Sequence, residues 1–334
     1  MSRREYDESD VRIRPSRRTK PRTKDRPTHE NAISAFVITV DRGRTTCVLE
    51  NGVVVTAMKA RELGPKSVVV GDHVRLVGDT SGAEGSLARI VSIDERKSVL
   101  VRTVDDAAQF ERTIASNIDQ LVIVAAAANP EPRRGLIDRF LVSAFIEDID
   151  PILIITKCDL APAPDFLTEY ESIGVKCFTT KLGSDLSEIH QALNGKVSVL
   201  VGHSGVGKST LLNGLTDADR ETGDVNDVTG RGRHTSSSAY AVKLKDLNSQ
   251  KSTSGSWVID TPGIRAFGLS HLDPAKIIAA FDDLLEITNS CMTNCSHNEA
   301  DCALNSWMAP NGIEIPERVA RVTSLRNLLA AGIE

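Results

Sequence analysis

The sequence predicts a multidomain α/β protein. It should comprise a short basic arm, a small β-barrel, a mostly parallel sheet wrapped by helices, and a helical C-terminal segment. Three observations carry this. Between Ala32 and Val104, five short apolar stretches are separated by turn signals. From Ile118 onward, apolar strands alternate with amphipathic helical stretches, the pattern of a parallel sheet covered on both faces. Beyond Asp273 the pattern is helical, and it holds three cysteines and a histidine within twelve residues.

The elements follow in order. Residues 1–31 lack apolar periodicity, contain Pro15, Pro21 and Pro27, and are expected to be a disordered arm. Residues 32–105 should form the barrel, from strands at Ala35 to Val40, Thr45 to Leu49, Val53 to Met58, His73 to Val77 and Ser86 to Ser92. Asn51-Gly52 between the second and third is a strong hairpin signal. Five strands in this length suit an OB-type barrel, with an SH3-like barrel as the alternative. Residues 106–272 should form the α/β domain, with strands at Leu121 to Ala126, Ile152 to Ile155, Val175 to Phe178, Val197 to Val201, Tyr240 to Leu244 and Ser256 to Asp260. Helices are expected at Gly135 to Ile146 and Leu186 to Leu193. Residues 273–334 should form the helical domain.

Composition bounds the function. Of 334 residues, 25% are charged and 40% hydrophobic, so the chain should be globular. Its longest purely apolar stretch, Leu121 to Ala128, falls far short of the roughly 18 to 20 residues that span a bilayer. No secretory leader or membrane partner is expected. The cysteine spacing reads as metal binding in a reducing compartment, so a cytoplasmic protein is expected. The net charge of −5 is uneven. The first 30 residues hold ten Lys and Arg against six Asp and Glu, a local charge of +4 on a body of −9. A basic arm on an acidic body suits contact with a polyanion such as RNA.

The run Gly202-His203-Ser204-Gly205-Val206-Gly207-Lys208-Ser209-Thr210 follows an apolar strand and opens a helical stretch, the context a phosphate-binding loop requires. Its glycines let backbone N–H groups turn inward around phosphates, and the helix N-terminus adds partial positive charge. Lys208 should reach the β- and γ-phosphates as a catalytic cation, and the Ser209 hydroxyl should bind Mg²⁺. Downstream, Asp260 to Gly263 reads D-x-x-G at a strand end. Asp260 is placed to hold Mg²⁺ through water, and the Gly263 N–H to sense the γ-phosphate.

The base is chosen elsewhere. Thr156-Lys157-Cys158-Asp159 ends a buried strand and looks like the [NT]-K-x-D signature of GTPases. A carboxylate there accepts two hydrogen bonds, from N1–H and the exocyclic amine of guanine. Adenine offers neither in that geometry, so its use would leave polar groups unpaired. Lys157 should pack over the base, and Thr156 replaces the common Asn. Thr179-Thr180-Lys181 resembles the S-A-K element that also lines the base. In this chain the base motif precedes the phosphate loop, the reverse of the ordinary order. The same sheet results if the old termini are joined and new ones opened in a loop. The segment after Gly263, which corresponds to a second switch, then leads directly into the C-terminal domain.

At this point the chain resembles the ribosome small subunit-dependent GTPase A family, RsgA, over about residues 32 to 334. The resemblance rests on the motif order, the barrel before it and the Cys/His cluster after it. It implies an OB-fold, a circularly permuted GTPase domain, a zinc domain, and GTP hydrolysis stimulated by the small ribosomal subunit during late maturation. Gly230-Arg231-Gly232-Arg233-His234-Thr235-Ser236 resembles the family's first switch, G-R-H-T-T. Thr235 or Ser236 should complete the Mg²⁺ shell. Ile264 stands where many GTPases carry the glutamine that orients water, so His234 becomes the candidate for that catalytic task. Gly205 stands where potassium-activated GTPases carry Asn, so no K⁺ requirement is expected from it.

Cys291, Cys295, His297 and Cys302 supply three thiolates and an imidazole, a closed tetrahedral set for one structural Zn²⁺. The barrel has a single aromatic, Phe36, so base stacking is not its mode. Its cations Arg42, Arg44, Lys59, Arg61, Arg75 and Arg89 suit phosphate contacts with rRNA instead. The expected protein is therefore a monomeric GTPase using GTP/GDP, Mg²⁺ and Zn²⁺, acting on the small ribosomal subunit. The alternative is a GTP-liganded RNA-binding module with incidental hydrolysis. A P-loop ATPase is the weaker rival, and Asp159 argues against it.

Overall fold

A computed structural model describes residues 29, 31–41, 43–64, 67–105, 108–216, 239–245, 255–261, 274–279 and 281–333. Nearly all of the basic arm lies outside them. Ala32–Glu334 form one compact unit.

The barrel is built from β1 (Ile33–Asp41), β2 (Arg44–Leu49), β3 (Val54–Lys59), β4 (His73–Gly78) and β5 (Ala88–Ile93). Buried and exposed residues alternate along β2, β3 and β4, as a closed sheet with one dry face demands. Val37, Cys47, Val55, Ala57, Val74, Leu76 and Ile90 fill the interior. At the Asn51-Gly52 turn, Gly52 takes φ +83 and the Asn51 side chain accepts from the Val53 N–H. β1 pairs β2 and β4, β2 pairs β3, and β4 pairs β5, all antiparallel, while β3 and β5 run parallel. The closure β1-β2-β3-β5-β4 is that of an OB-fold and sets aside the SH3-like alternative.

A hairpin then intervenes, β6 (Val99–Asp105) with β7 (Ala108–Ser116), forming its own two-stranded sheet. The sequence pattern did not mark it, because its strands carry charges among the apolar residues. Asp72 joins this hairpin to the barrel. The fully buried carboxylate accepts from Arg96 Nε at 2.7 Å, Arg96 Nη2 at 2.9 Å, Ser116 Oγ at 2.6 Å and the Val69 N–H at 2.8 Å. Four donors compensate for removing the charge from water. The neighbouring Gly71 approaches so closely that a Cβ would sit 2.1 Å from the Ser116 carbonyl oxygen.

The α/β portion contains β8 (Gln120–Ala126), α1 (Arg134–Ile146), β9 (Asp150–Thr156), α2 (Leu167–Ser172), β10 (Lys176–Thr179), α3 (Ser187–Leu193), β11 (Val197–Val201), α4 (Lys208–Leu215), β12 (Tyr240–Lys243) and β13 (Trp257–Asp260). The strand order is β10-β9-β8-β11-β13-β12, parallel except for β12. Thr39 of β1 pairs with Tyr240 of β12, so sheet and barrel are continuous. Phe36 stacks on Trp257 across this junction, with ring centroids 5.2 Å apart. Every residue of β8 is buried. Its alternating side chains divide between two cores, Leu121, Ile123 and Ala125 toward α1, and Val122 and Val124 toward α3 and α4.

The C-terminal helices are α5 (Pro274–Ala279), α6 (Asp282–Thr288), α7 (Ala303–Met308) and α8 (Pro316–Ile333). α8 packs against α1 and α2, so Val322, Leu325 and Leu328 share the core beneath the sheet. Arg321 grips both carboxylate oxygens of Asp283 and lies 4.7 Å over the Phe281 ring. Among the described residues, no helix is long and apolar enough to cross a membrane.

Candidate functional site

The carboxyl ends of β9, β8, β11 and β13 lie side by side, and the motif segments leave the sheet from three of them. That crevice is where open α/β sheets bind ligands.

Gly202 follows β11 with φ +142, and a Cβ there would lie 2.2 Å from the Val124 carbonyl oxygen of the adjacent strand. Only glycine fits both constraints. The chain then arches over Gly205, at φ +81, to Gly207, at φ +93, which caps α4. Lys208, the first helical residue, donates to the carbonyls of Gly202 at 2.7 Å and His203 at 2.8 Å. Its ammonium spans the loop. Burial lowers the Lys208 pKa from its usual value, and the charge of Asp260 works the other way. Val206 is buried beneath the loop, while Ser209 and Thr210 are exposed on the first turn of α4. Ser204 and Gly205 are exposed, and His203 Nδ1 lies 2.8 Å from the Ser204 carbonyl.

Thr156 ends β9 and is 5% exposed. Its hydroxyl donates to the Val206 carbonyl of the phosphate loop and lies 3.3 Å from the Ala125 carbonyl. The side chain expected to face a base is thus bonded into the phosphate loop. Lys157 adopts φ +57, and its ammonium donates to the Asn129 carbonyl beyond β8. Asp159 is exposed in the following turn. Thr179 to Lys181 stands beside this turn. The Thr180 N–H bonds the Ile155 carbonyl at 2.8 Å, and the Cys158 N–H bonds the Thr180 carbonyl at 3.2 Å.

Asp260 ends β13, buried to 7% exposure, and accepts from the Tyr240 hydroxyl at 2.7 Å. Thr261 Oγ donates to the Leu200 carbonyl at 2.8 Å, fixing the chain's exit from β13 against β11. Gly263 and the switch residues Gly230 to Ser236, with His234, Thr235 and Ser236, lie outside the described residues. Sequence reasoning placed Tyr240 in a strand and assigned it no role. The signal lay in register, because Tyr240 and Asp260 are directly opposite in an antiparallel pair and so point to one face.

The Cys/His cluster is also assembled. Cys291, Cys295, His297 and Cys302 bring one ligand atom each within 4.8 Å of one another. Cys291 Sγ is 3.8 Å from Cys302 Sγ and 3.7 Å from His297 Nδ1, and Cys302 Sγ is 3.9 Å from that nitrogen. Bonds of about 2.3 Å at tetrahedral angles place sulfurs about 3.8 Å apart, so these edges fit a zinc tetrahedron. A disulfide needs sulfurs about 2 Å apart. Burial lowers the His297 pKa, favouring the neutral, ligating imidazole. Arg326 braces the loop, donating to the His297 carbonyl and to Asn305 Oδ1, each at 2.7 Å.

The RsgA GTPase family matches residues 93–270, more than half of the chain. This chain belongs to the RsgA GTPase family. It is 36% identical over 277 residues to the small ribosomal subunit biogenesis GTPase RsgA of Alcanivorax borkumensis, covering 79% of this chain and 74% of that one. It is 33% identical over 264 residues to the small ribosomal subunit biogenesis GTPase RsgA 1 of Vibrio vulnificus, covering 76% and 72%. Two solved structures share the fold. YloQ, described as a circularly permuted GTPase, matches with a TM-score of 0.61 at 22% identity, over 91% of this chain and 97% of that one. YjeQ from Thermotoga maritima matches with a TM-score of 0.61 at 23% identity, over 89% and 99%. Family membership makes the chain a GTP-hydrolysing enzyme, with its motifs in permuted order.

Proposed function

We propose that this RsgA-family enzyme is a GTP-hydrolysing switch that binds the small ribosomal subunit through its rRNA and assists late maturation, slow alone and stimulated by the subunit. The observation that carries the chemistry is the gathering of Thr156 to Asp159, Gly202 to Thr210 and Asp260 at neighbouring strand ends of one sheet. The names of the 33–36% identical relatives support the subunit as partner. The exposed barrel cations Arg44, Arg61 and Arg89 supply phosphate contacts. In this reading the protein is cytoplasmic and monomeric.

Asp159 reads the guanine Watson–Crick edge, Lys157 packs over the ring, and Thr156 ties the base segment to the phosphate loop. The loop N–H groups cradle the phosphates. Lys208 exchanges its carbonyl partners for the β- and γ-phosphate oxygens and stabilises charge that develops there. Mg²⁺ supplies further neutralisation of that charge. Ser209, Asp260 through water, and Thr235 or Ser236 are the residues to hold it, and the Gly263 N–H reports the γ-phosphate. His234 orients the attacking water, the task Ile264 cannot perform. The Cys₃His set holds a structural Zn²⁺, closed and therefore without a catalytic role.

The test is GTP turnover with and without small ribosomal subunits, with large subunits as the control. Strong stimulation by small subunits alone is expected. GTP binding without such stimulation overturns the subunit assignment and leaves a GTP-liganded module.

A further inference from the structure

We propose that Tyr240 is a positioning residue for the magnesium-binding carboxylate Asp260, linking the strand downstream of the first switch to the ion. The inference rests on the reading above that Asp260 serves Mg²⁺.

Three observations support it. First, β12 and β13 are antiparallel with Tyr240 directly opposite Asp260, so both side chains rise from the same face. Second, the Tyr240 hydroxyl donates to Asp260 Oδ2 at 2.7 Å, and both residues are only 7% exposed. A short bond from a neutral donor to a carboxylate, shielded from water, holds the carboxylate plane at one rotation. Third, the ring belongs to the core beneath α4, with Val206, Leu211, Leu212 and Val258. The hydroxyl is therefore set by packed neighbours at both the phosphate loop and β13, as expected of a tyrosine with an apolar body and a polar tip.

The consequence is directional. Asp260 must present an oxygen toward the ion's water shell at a fixed angle, and Mg²⁺ tolerates little departure from octahedral geometry. A carboxylate able to rotate would pay that ordering cost on each binding event. Tyr240 lies four residues after Ser236 in the sequence and opens β12. Whatever moves that strand moves the hydroxyl, and with it the carboxylate.

The test is Tyr240→Phe, which removes the hydroxyl and keeps the ring. Release of a fluorescent GDP analogue is followed across a Mg²⁺ titration and in excess EDTA, beside wild type and Asp260→Asn. The expected result for Tyr240→Phe is a Mg²⁺ midpoint about tenfold higher, the loss of one hydrogen bond to a charged group. Release in EDTA should match wild type, while the thermal unfolding midpoint should fall modestly, because the buried Asp260 carboxylate loses a donor. An unchanged Mg²⁺ midpoint, or equal acceleration with and without Mg²⁺, overturns the proposal. If Asp260→Asn shifts the midpoint and Tyr240→Phe does not, only the role of Tyr240 fails. If Asp260→Asn leaves the midpoint unchanged, the assignment of Asp260 to Mg²⁺ fails, and the role of Tyr240 with it.

Discussion

Replacing Thr156 by valine should weaken nucleotide binding through the phosphate loop rather than through the base. The hydroxyl bonds the Val206 carbonyl, with the Ala125 carbonyl 3.3 Å away, and Thr156 and Val206 are 5% and 3% exposed. Valine keeps the shape and leaves a buried carbonyl without its partner, at a cost of about 1–2 kcal/mol. Gly207 sits against the same side chain, with a Cβ position 3.4 Å from Thr156 Oγ1, so the loop has little room to find a substitute. If half or more of that cost falls on the bound state, GDP affinity drops by about 2- to 30-fold. Titration calorimetry with GDP, GMP and guanosine locates the effect. The loss should grow with the number of phosphates and be small for guanosine. Equal losses for all three ligands would refute the reasoning and return Thr156 to the base site. Wild-type affinity for GDP would refute the latch itself.

Three further outcomes are expected. Gly202→Ala should cost about 3 kcal/mol or more, because φ +142 and a Cβ 2.2 Å from the Val124 carbonyl oxygen strain it twice; a urea midpoint equal to wild type would contradict this. Purified protein should carry one zinc per chain by elemental analysis, and chelation or Cys302→Ser should melt the C-terminal helices at lower temperature; full stability of zinc-free protein would remove the structural role. His234→Ala should abolish subunit-stimulated turnover while leaving GTP affinity intact, and unchanged turnover would exclude it from the mechanism.

Much of this was legible in the sequence, for identifiable reasons. The barrel strands were readable because alternation such as that of Arg44 to Leu49 records one dry face. The buried parallel strands were readable as uninterrupted apolar runs, with all of β8 buried. The glycines of the phosphate loop were readable because positive φ and close backbone approach leave no other residue. Helix α2, Leu167–Ser172, was hidden by its six-residue length, too short for a period to show. The Asp72, Arg96 and Ser116 network joins positions up to 44 residues apart, which no local pattern announces. The same holds for Thr156 with Val206 and for Tyr240 with Asp260. Motif spacing named both Thr156 and Val206 without showing that they bond each other; of the second pair it named Asp260 alone, and Tyr240 follows only from strand register.

The central claim is that segments read in permuted order form one guanine-nucleotide site with Asp159 as the base reader. The most direct test is the affinity of wild type and Asp159→Asn for GTP, xanthosine triphosphate and ATP. The account predicts that wild type prefers GTP to ATP. It predicts that Asp159→Asn loses two hydrogen bonds to a charged acceptor, about 100-fold or more in GTP affinity, and gains xanthosine triphosphate, whose 2-oxo group can accept from the new amide. GTP affinity unchanged in Asp159→Asn would contradict it.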